Sequence, residues 1–184
     1  MAGLDGRAPR RGGAFEALDV ARRHASLRGT VDAMTLPRAA DRLSDDGGDA
    51  VISWRIVGTV DDTGRPALEI AVDGSVPLVC QRCLQTFDWP IAQRTRVLLA
   101  RDERELARLD EDDEREVILA NAPIEALTLV EDELMLTLPF APRCERAECA
   151  AGAMQAAPAQ PAARGASFAA LAELKRGGAK ATKR

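Results

Sequence analysis

Val76–Pro90, VPLVCQRCLQTFDWP, is the stretch on which the reading of this chain turns. An apolar, β-branched run ends at Val79 and another run opens at Thr86. Between them Cys80 and Cys83 stand three residues apart, a spacing at which both sulfurs can converge on one point from a tight turn. The only other cysteines, Cys144 and Cys149, also form a short pair. Whether the two pairs meet in space decides what the thiols can do.

Working outward, Ala67–Val79 (ALEIAVDGSVPLV) reads as the strand entering the turn and Thr86–Ala100 (TFDWPIAQRTRVLLA) as the strand leaving it. Gly74 and Pro77 point to a bulge or an edge position in the first. Val51–Val60 (VISWRIVGTV) supplies a third strand, joined through the turn residues Asp61–Pro66. Together they predict a meander of three antiparallel strands. Upstream, Phe15–Ser26 predicts a short helix, Arg28–Thr35 a brief strand, and Leu36–Leu43 a helical turn opened by Pro37.

Downstream, residues 101–116 (RDERELARLDEDDERE) carry nine acids against four arginines and read as a solvated acidic loop in preference to an exposed helix. Val117–Leu119 can add a short strand. Across residues 123–138 (PIEALTLVEDELMLTL) apolar side chains recur at helical spacing, Glu131 and Asp132 are expected to face water, and Pro139 stops the helix. The fold class is therefore α+β: an antiparallel β-meander with a packing amphipathic helix near residues 123–138 and flexible termini. Residues 15–149 read as one domain of this class. Residues 1–14 read as a disordered extension, 150–166 as an Ala/Pro-rich linker, and 167–184 as a short helix and basic tail.

Hydrophobic residues make up 46% of the 184, but aromatics only 3%, with no Tyr. The core must be aliphatic, and the composition argues against an aromatic platform for stacking bases. A net charge of −4 hides an asymmetry, because all three lysines (Lys175, Lys180, Lys183) lie in the last ten residues. Basic ends on an acidic body suit contact with a polyanion; solvated tails are the plainer alternative. Met1–Gly13 lacks an apolar leader core, and no run approaches the ~18 apolar residues of a membrane span. The expected location is the cytoplasm, where cysteines serve as thiols or metal ligands more often than as disulfides.

Zinc takes four N or S ligands in a tetrahedron, and four thiolates leave no position open for a substrate. Cys80, Cys83, Cys144 and Cys149 supply such a set, which makes structural Zn2+ the expected cofactor. The 60 residues between the pairs exceed the roughly 15–20 of a compact zinc ribbon, so four ordinary thiols remain the alternative. A thiol oxidoreductase would need its CxxC at a helix N-terminus beside a βαβ unit, whereas this one lies between strands. No nucleotide-binding loop, nucleophile elbow or zinc-protease motif is present. His24, the single histidine, reads as a surface residue. Glu131, Asp132 and Glu133 read as the polar face of a helix, not as an acid/base site.

Three blocks carry a resemblance: VPLVCQRCLQTFDWPI (76–91), LVEDELMLTLPFAPRCERAEC (129–149) and SFAALAELKR (167–176). In this order they resemble the YceD family, the bacterial large ribosomal RNA subunit accumulation proteins. The resemblance implies a cytoplasmic factor for synthesis, processing or stability of 23S rRNA, with no known catalytic activity. The acidic segment 101–116 and the basic N-terminal extension depart from it. Combined with the charge pattern, it predicts a non-enzymatic ribosome-assembly protein whose partner is precursor 23S rRNA or the pre-50S particle, directly or through a ribosomal protein. No membrane and no small-molecule substrate are expected. The contact residues would be Arg82 at the turn, Phe168, Leu171 and Leu174 on the apolar face of the C-terminal helix, and Lys175, Arg176, Lys180, Lys183 and Arg184 in the tail. An adaptor that docks by that helix on a protein, never touching RNA, is the competing reading.

Overall fold

The computed structural model describes residues 13–112 and 115–149. Its centre is a five-stranded sheet of β2 (Ser26–Asp32), β3 (Val51–Val60), β4 (Pro66–Val79), β5 (Thr86–Ala100) and β6 (Glu116–Leu119), in that spatial order. The predicted meander is its middle. β2–β5 are antiparallel neighbours, whereas β6 joins β5 in parallel. A separate two-stranded ladder pairs β1 (Ala14–Phe15) with β7 (Ile124–Glu125). The described residues also form the α-helices α1 (Ala17–Arg22), α2 (Pro37–Ala40), α3 (Glu103–Leu109) and α4 (Ala126–Thr137), with a 3-10 turn at Ala33–Thr35 before α2.

Strict alternation in β3 buries Ile52, Trp54 and Ile56 on one face and exposes Val51, Ser53 and Arg55 on the other. Register carries that division across the sheet, since Ile56 pairs with Ile70 and Arg55 with Ala71. Leu68, Ile70, Val72, Val97 and Leu99 thus share the core with Val130 and Leu134 of α4. The core is aliphatic, as composition required, with Phe15 and Trp54 as its buried aromatics. Gly58 is needed where α1 crosses β3, because a Cβ there would lie 2.1 Å from the carbonyl oxygen of Val20.

The β3–β4 turn is held by the Asp61 carboxylate, which accepts the backbone N–H groups of Thr63 (2.9 Å) and Arg65 (2.8 Å). Past Gly74, β4 pairs only with β5. Pro77 therefore occupies the edge position its missing N–H demands, and its carbonyl accepts Ser44 N–H at 2.9 Å.

Two expectations fail. The acidic stretch 101–116 is not a loop, because Glu103–Leu109 is helical and Glu116 opens β6. Asp102 accepts Glu105 N–H (2.8 Å) while the Glu105 carboxylate accepts Arg101 N–H (2.9 Å), a capping-box arrangement that starts α3. Glu131 does not face water either: both it and Glu133 are buried, 7% and 4% exposed, and only Asp132 stays half-exposed. Glu131 and Glu133 point inward to polar partners from distant segments, Arg38 and Ala39 for the first and Thr95 for the second.

By contacts the chain divides into residues 1–144 and 145–184. Of the second unit residues 145–149 are described, and they end in a helical turn over 147–149 with Cys149 buried. The predicted extension (all but residues 13 and 14), the linker 150–166 and the helix and tail 167–184 lie outside the described residues. Among the described residues no helix is long and apolar enough to cross a membrane.

Candidate metal centre

β4 and β5 reach past β3 as a long hairpin and end in the turn 80–85. Cys80 N–H donates to Gln85 C=O at 3.0 Å and Leu84 N–H to Cys80 C=O at 2.9 Å. The second bond folds the turn so tightly that Leu84 takes a positive φ of 59°, a conformation a non-glycine residue adopts only under local constraint. The constraint places Cys80 and Cys83 on one side of the turn.

The segment after α4 comes to that same side. Leu138 ends the helix in an extended conformation, and Pro139 cannot continue it. Gln81 N–H then donates to Pro142 C=O at 2.9 Å, and the Gln81 side-chain amide to Phe140 C=O at 3.3 Å. Arg82 donates from its guanidinium to Cys144 C=O at 3.3 Å. Two successive residues of the turn thereby grip the segment bearing Cys144 through three hydrogen bonds.

Cys83 Sγ and Cys144 Sγ lie 3.7 Å apart, and Cys144 N–H donates to Cys80 Sγ at 3.4 Å. Cys149 is buried as well, and all four sulfurs lie within 4.8 Å of one another. None of the four forms a disulfide. A tetrahedron with Zn–S bonds of about 2.3 Å has S···S edges of about 3.8 Å, so the 3.7 Å spacing is that of two ligands of one ion. N–H groups of Cys144, Cys83 and Arg82 aimed at the Cys80 sulfur outweigh its burial and lower its thiol to about 5. A sulfur so placed is a thiolate at neutral pH, the form that binds metal. The donor set, its spacing and the lowered Cys80 thiol fit a zinc ion held by four cysteines.

The sequence reading missed a second buried polar site. Glu131 Oε1 accepts the N–H groups of Arg38 (2.6 Å) and Ala39 (3.2 Å), and Oε2 accepts the Arg38 guanidinium at 3.0 and 3.1 Å. α2 has no side-chain cap of its own, so Glu131 caps it from 93 residues away. Burial opposes ionisation, yet these donors hold the Glu131 carboxyl below the ordinary carboxylate range. For Glu133 burial prevails over the Thr95 hydroxyl it accepts at 2.6 Å, and its carboxyl is raised. Glu131 thus ties α4 to α2, and Glu133 ties α4 to β5.

Of the residues predicted to touch RNA or a partner, Arg82 is exposed at the turn with its guanidinium on Cys144 C=O. Phe168, Leu171, Leu174, Lys175, Arg176, Lys180, Lys183 and Arg184 lie outside the described residues.

The family model described as Large ribosomal RNA subunit accumulation protein YceD matches residues 68–175. The chain belongs to the YceD family. The YceD match opens in β4, takes in the hairpin, α3, β6 and α4, and includes all four cysteines. β2 and β3 lie before it. No curated protein and no solved structure matches the chain.

Proposed function

We propose that this chain is a non-enzymatic ribosome-biogenesis factor, acting in synthesis, processing or stability of 23S rRNA and hence in accumulation of the large ribosomal subunit. Support comes first from the family, whose description names large ribosomal RNA subunit accumulation. The observation that carries the reading is the content of the matched span, which holds the hairpin, α4 and the four clustered thiols. The matched span thus contains every cysteine of the cluster, which supports reading that part of the chain as a scaffold.

In this reading Cys80, Cys83, Cys144 and Cys149 hold a structural zinc ion. A site closed by four thiolates leaves no position for a substrate, so its role is to pin the segment after α4 to the hairpin. The basic tail, Lys175, Arg176, Lys180, Lys183 and Arg184, would reach phosphates of precursor 23S rRNA or a ribosomal protein of the pre-50S particle, with the apolar face of Phe168, Leu171 and Leu174 docking beside it.

Ribosome profiles of a strain depleted of the protein test the reading. Fewer 50S particles and less mature 23S rRNA are expected; unchanged 50S levels would refute it. Elemental analysis of protein purified without chelator should find one zinc per chain, and metal-free protein with four titratable thiols would remove the zinc. Truncation after Gly165, with pull-downs before and after nuclease, separates contact with RNA from contact with protein.

A further inference from the structure

The sheet has a second face that no helical signal announces. Register aligns Arg28 of β2 with Arg55 of β3, Arg55 with Ala71 of β4, and Ala71 with Arg94 of β5. Three arginines thus stand in one row across four strands, and Arg96 joins them from the next row. All four are exposed. With strands about 4.8 Å apart, the row runs roughly 14 Å across the sheet.

Their partners are uneven. Arg94 pairs with Asp73 at 2.9 Å and Arg96 with Glu69 at 2.6 Å. Arg28 and Arg55, directly opposed, have no ion pair among the described residues. Like charges facing each other across a ladder destabilise a sheet, so this arrangement makes sense where an anion bridges them. Shallow grooves of about 510 and 500 Å³ flank Arg55, one lined by Arg94 and Arg96, the other by Arg28, Thr30 and Ser53.

We infer that this open face binds the phosphate backbone of double-helical RNA. The inference rests on the ribosome-biogenesis reading for the identity of the polyanion. Around the row itself four guanidiniums meet the two carboxylates of Glu69 and Asp73, while Asp32 and Asp88 stand on the same face toward its ends and Asp61 and Asp62 act on Arg96 alone. The Arg28–Arg55 pair is thus locally positive, and Arg with Ser and Thr hydroxyls are the usual donors to phosphate. The face carries no exposed aromatic: Trp54, at the rim of one groove, is 5% exposed. Unstacked single-stranded bases would find nothing to stack on, and a protein partner would find no aromatic anchor. Helical RNA is recognised through shape, phosphates and 2′-hydroxyls and needs neither. Arg28 and Arg55 precede the span that the family model matches.

The test uses the full-length chain, a fluorescein-labelled RNA hairpin with a long stem, and a single strand of equal length. For R28Q/R55Q the expected result is hairpin binding weakened by roughly tenfold or more, with the slope of log K against log salt shallower by about 0.7–0.9 per arginine removed. Its thermal midpoint should equal or exceed that of the parent, which separates lost contact from lost fold. Equal affinity and slope in both proteins would overturn the inference. So would a preference for the single strand, or retention of nuclease-treated ribosomal protein in place of RNA. A strain carrying R28Q/R55Q with normal 50S levels, where depletion lowers them, removes this face and leaves the biogenesis reading standing. Depletion without effect removes the reading itself.

Discussion

Glu131 and the cysteine turn each bind a stretch of chain from far away in sequence, yet only the first is complete in itself. The Glu131 carboxylate meets two backbone N–H groups and one guanidinium, all from α2, so every charge is answered by the chain. At the turn, N–H donors favour a thiolate on Cys80, and three more sulfurs crowd within 4.8 Å. Thiolates gathered that closely repel one another unless a cation lies among them. A buried carboxylate can be satisfied by backbone; four sulfurs gathered around a Cys80 thiolate ask for metal.

Removing the metal should break the comparison most visibly. If zinc stands at a thousand times its Kd, binding adds about 4 kcal/mol, so a strong chelator should lower the melting temperature by roughly 8–16 °C. Cys83→Ser should behave like the chelated parent and gain nothing from added zinc. A parent indifferent to chelator would leave the two sites alike. Next comes Glu131→Ala, expected to cost about 2–3 kcal/mol in urea unfolding by stripping charged hydrogen bonds from the start of α2. Chelator should leave that loss unchanged, because the two knots share no side chain.

Glu133 sharpens the contrast from the other side. Its carboxyl is raised in the fold by burial, so stability from this group is full below the ordinary carboxylate pKa and falls as pH rises through the folded value. Glu131, held low, does the reverse, its stabilisation present above the ordinary pKa and lost as pH falls through the folded one. Glu133→Gln should therefore raise the midpoint at pH 7 and leave it nearly unchanged at pH 4. Smallest of all, Arg55→Gln alone should add only about 0.2–1 kcal/mol by relieving its facing arginine, measured at low salt.

Strands β3, β4 and β5 were legible because their apolar residues alternate and their turns carry Asp, Gly or Cys at the required places. The pairing of Cys80 and Cys83 with Cys144 and Cys149 was legible as chemistry, since four thiols suggest one ion wherever the chain carries them. α3 is hidden by its charge: nine acids in sixteen residues read as a solvated loop, while the signal that starts the helix is Asp102 and Glu105, three residues apart. Glu131 could not be read at all from its neighbours, because its partners, Arg38 and the N–H groups of α2, sit 93 residues away. The arginine row was hidden for the same reason, each member lying on a different strand.

The short ladder of Ala14–Phe15 with Ile124–Glu125 has a consequence for how the protein is made. About 110 residues separate the two halves, so at a bacterial elongation pace of ~5–20 residues per second the first waits on the order of 5–20 s for the second to be synthesised. During that interval Phe15, buried in the finished core, has nowhere of its own to go. The nascent chain therefore leaves Phe15 without its core until α4 is nearly complete.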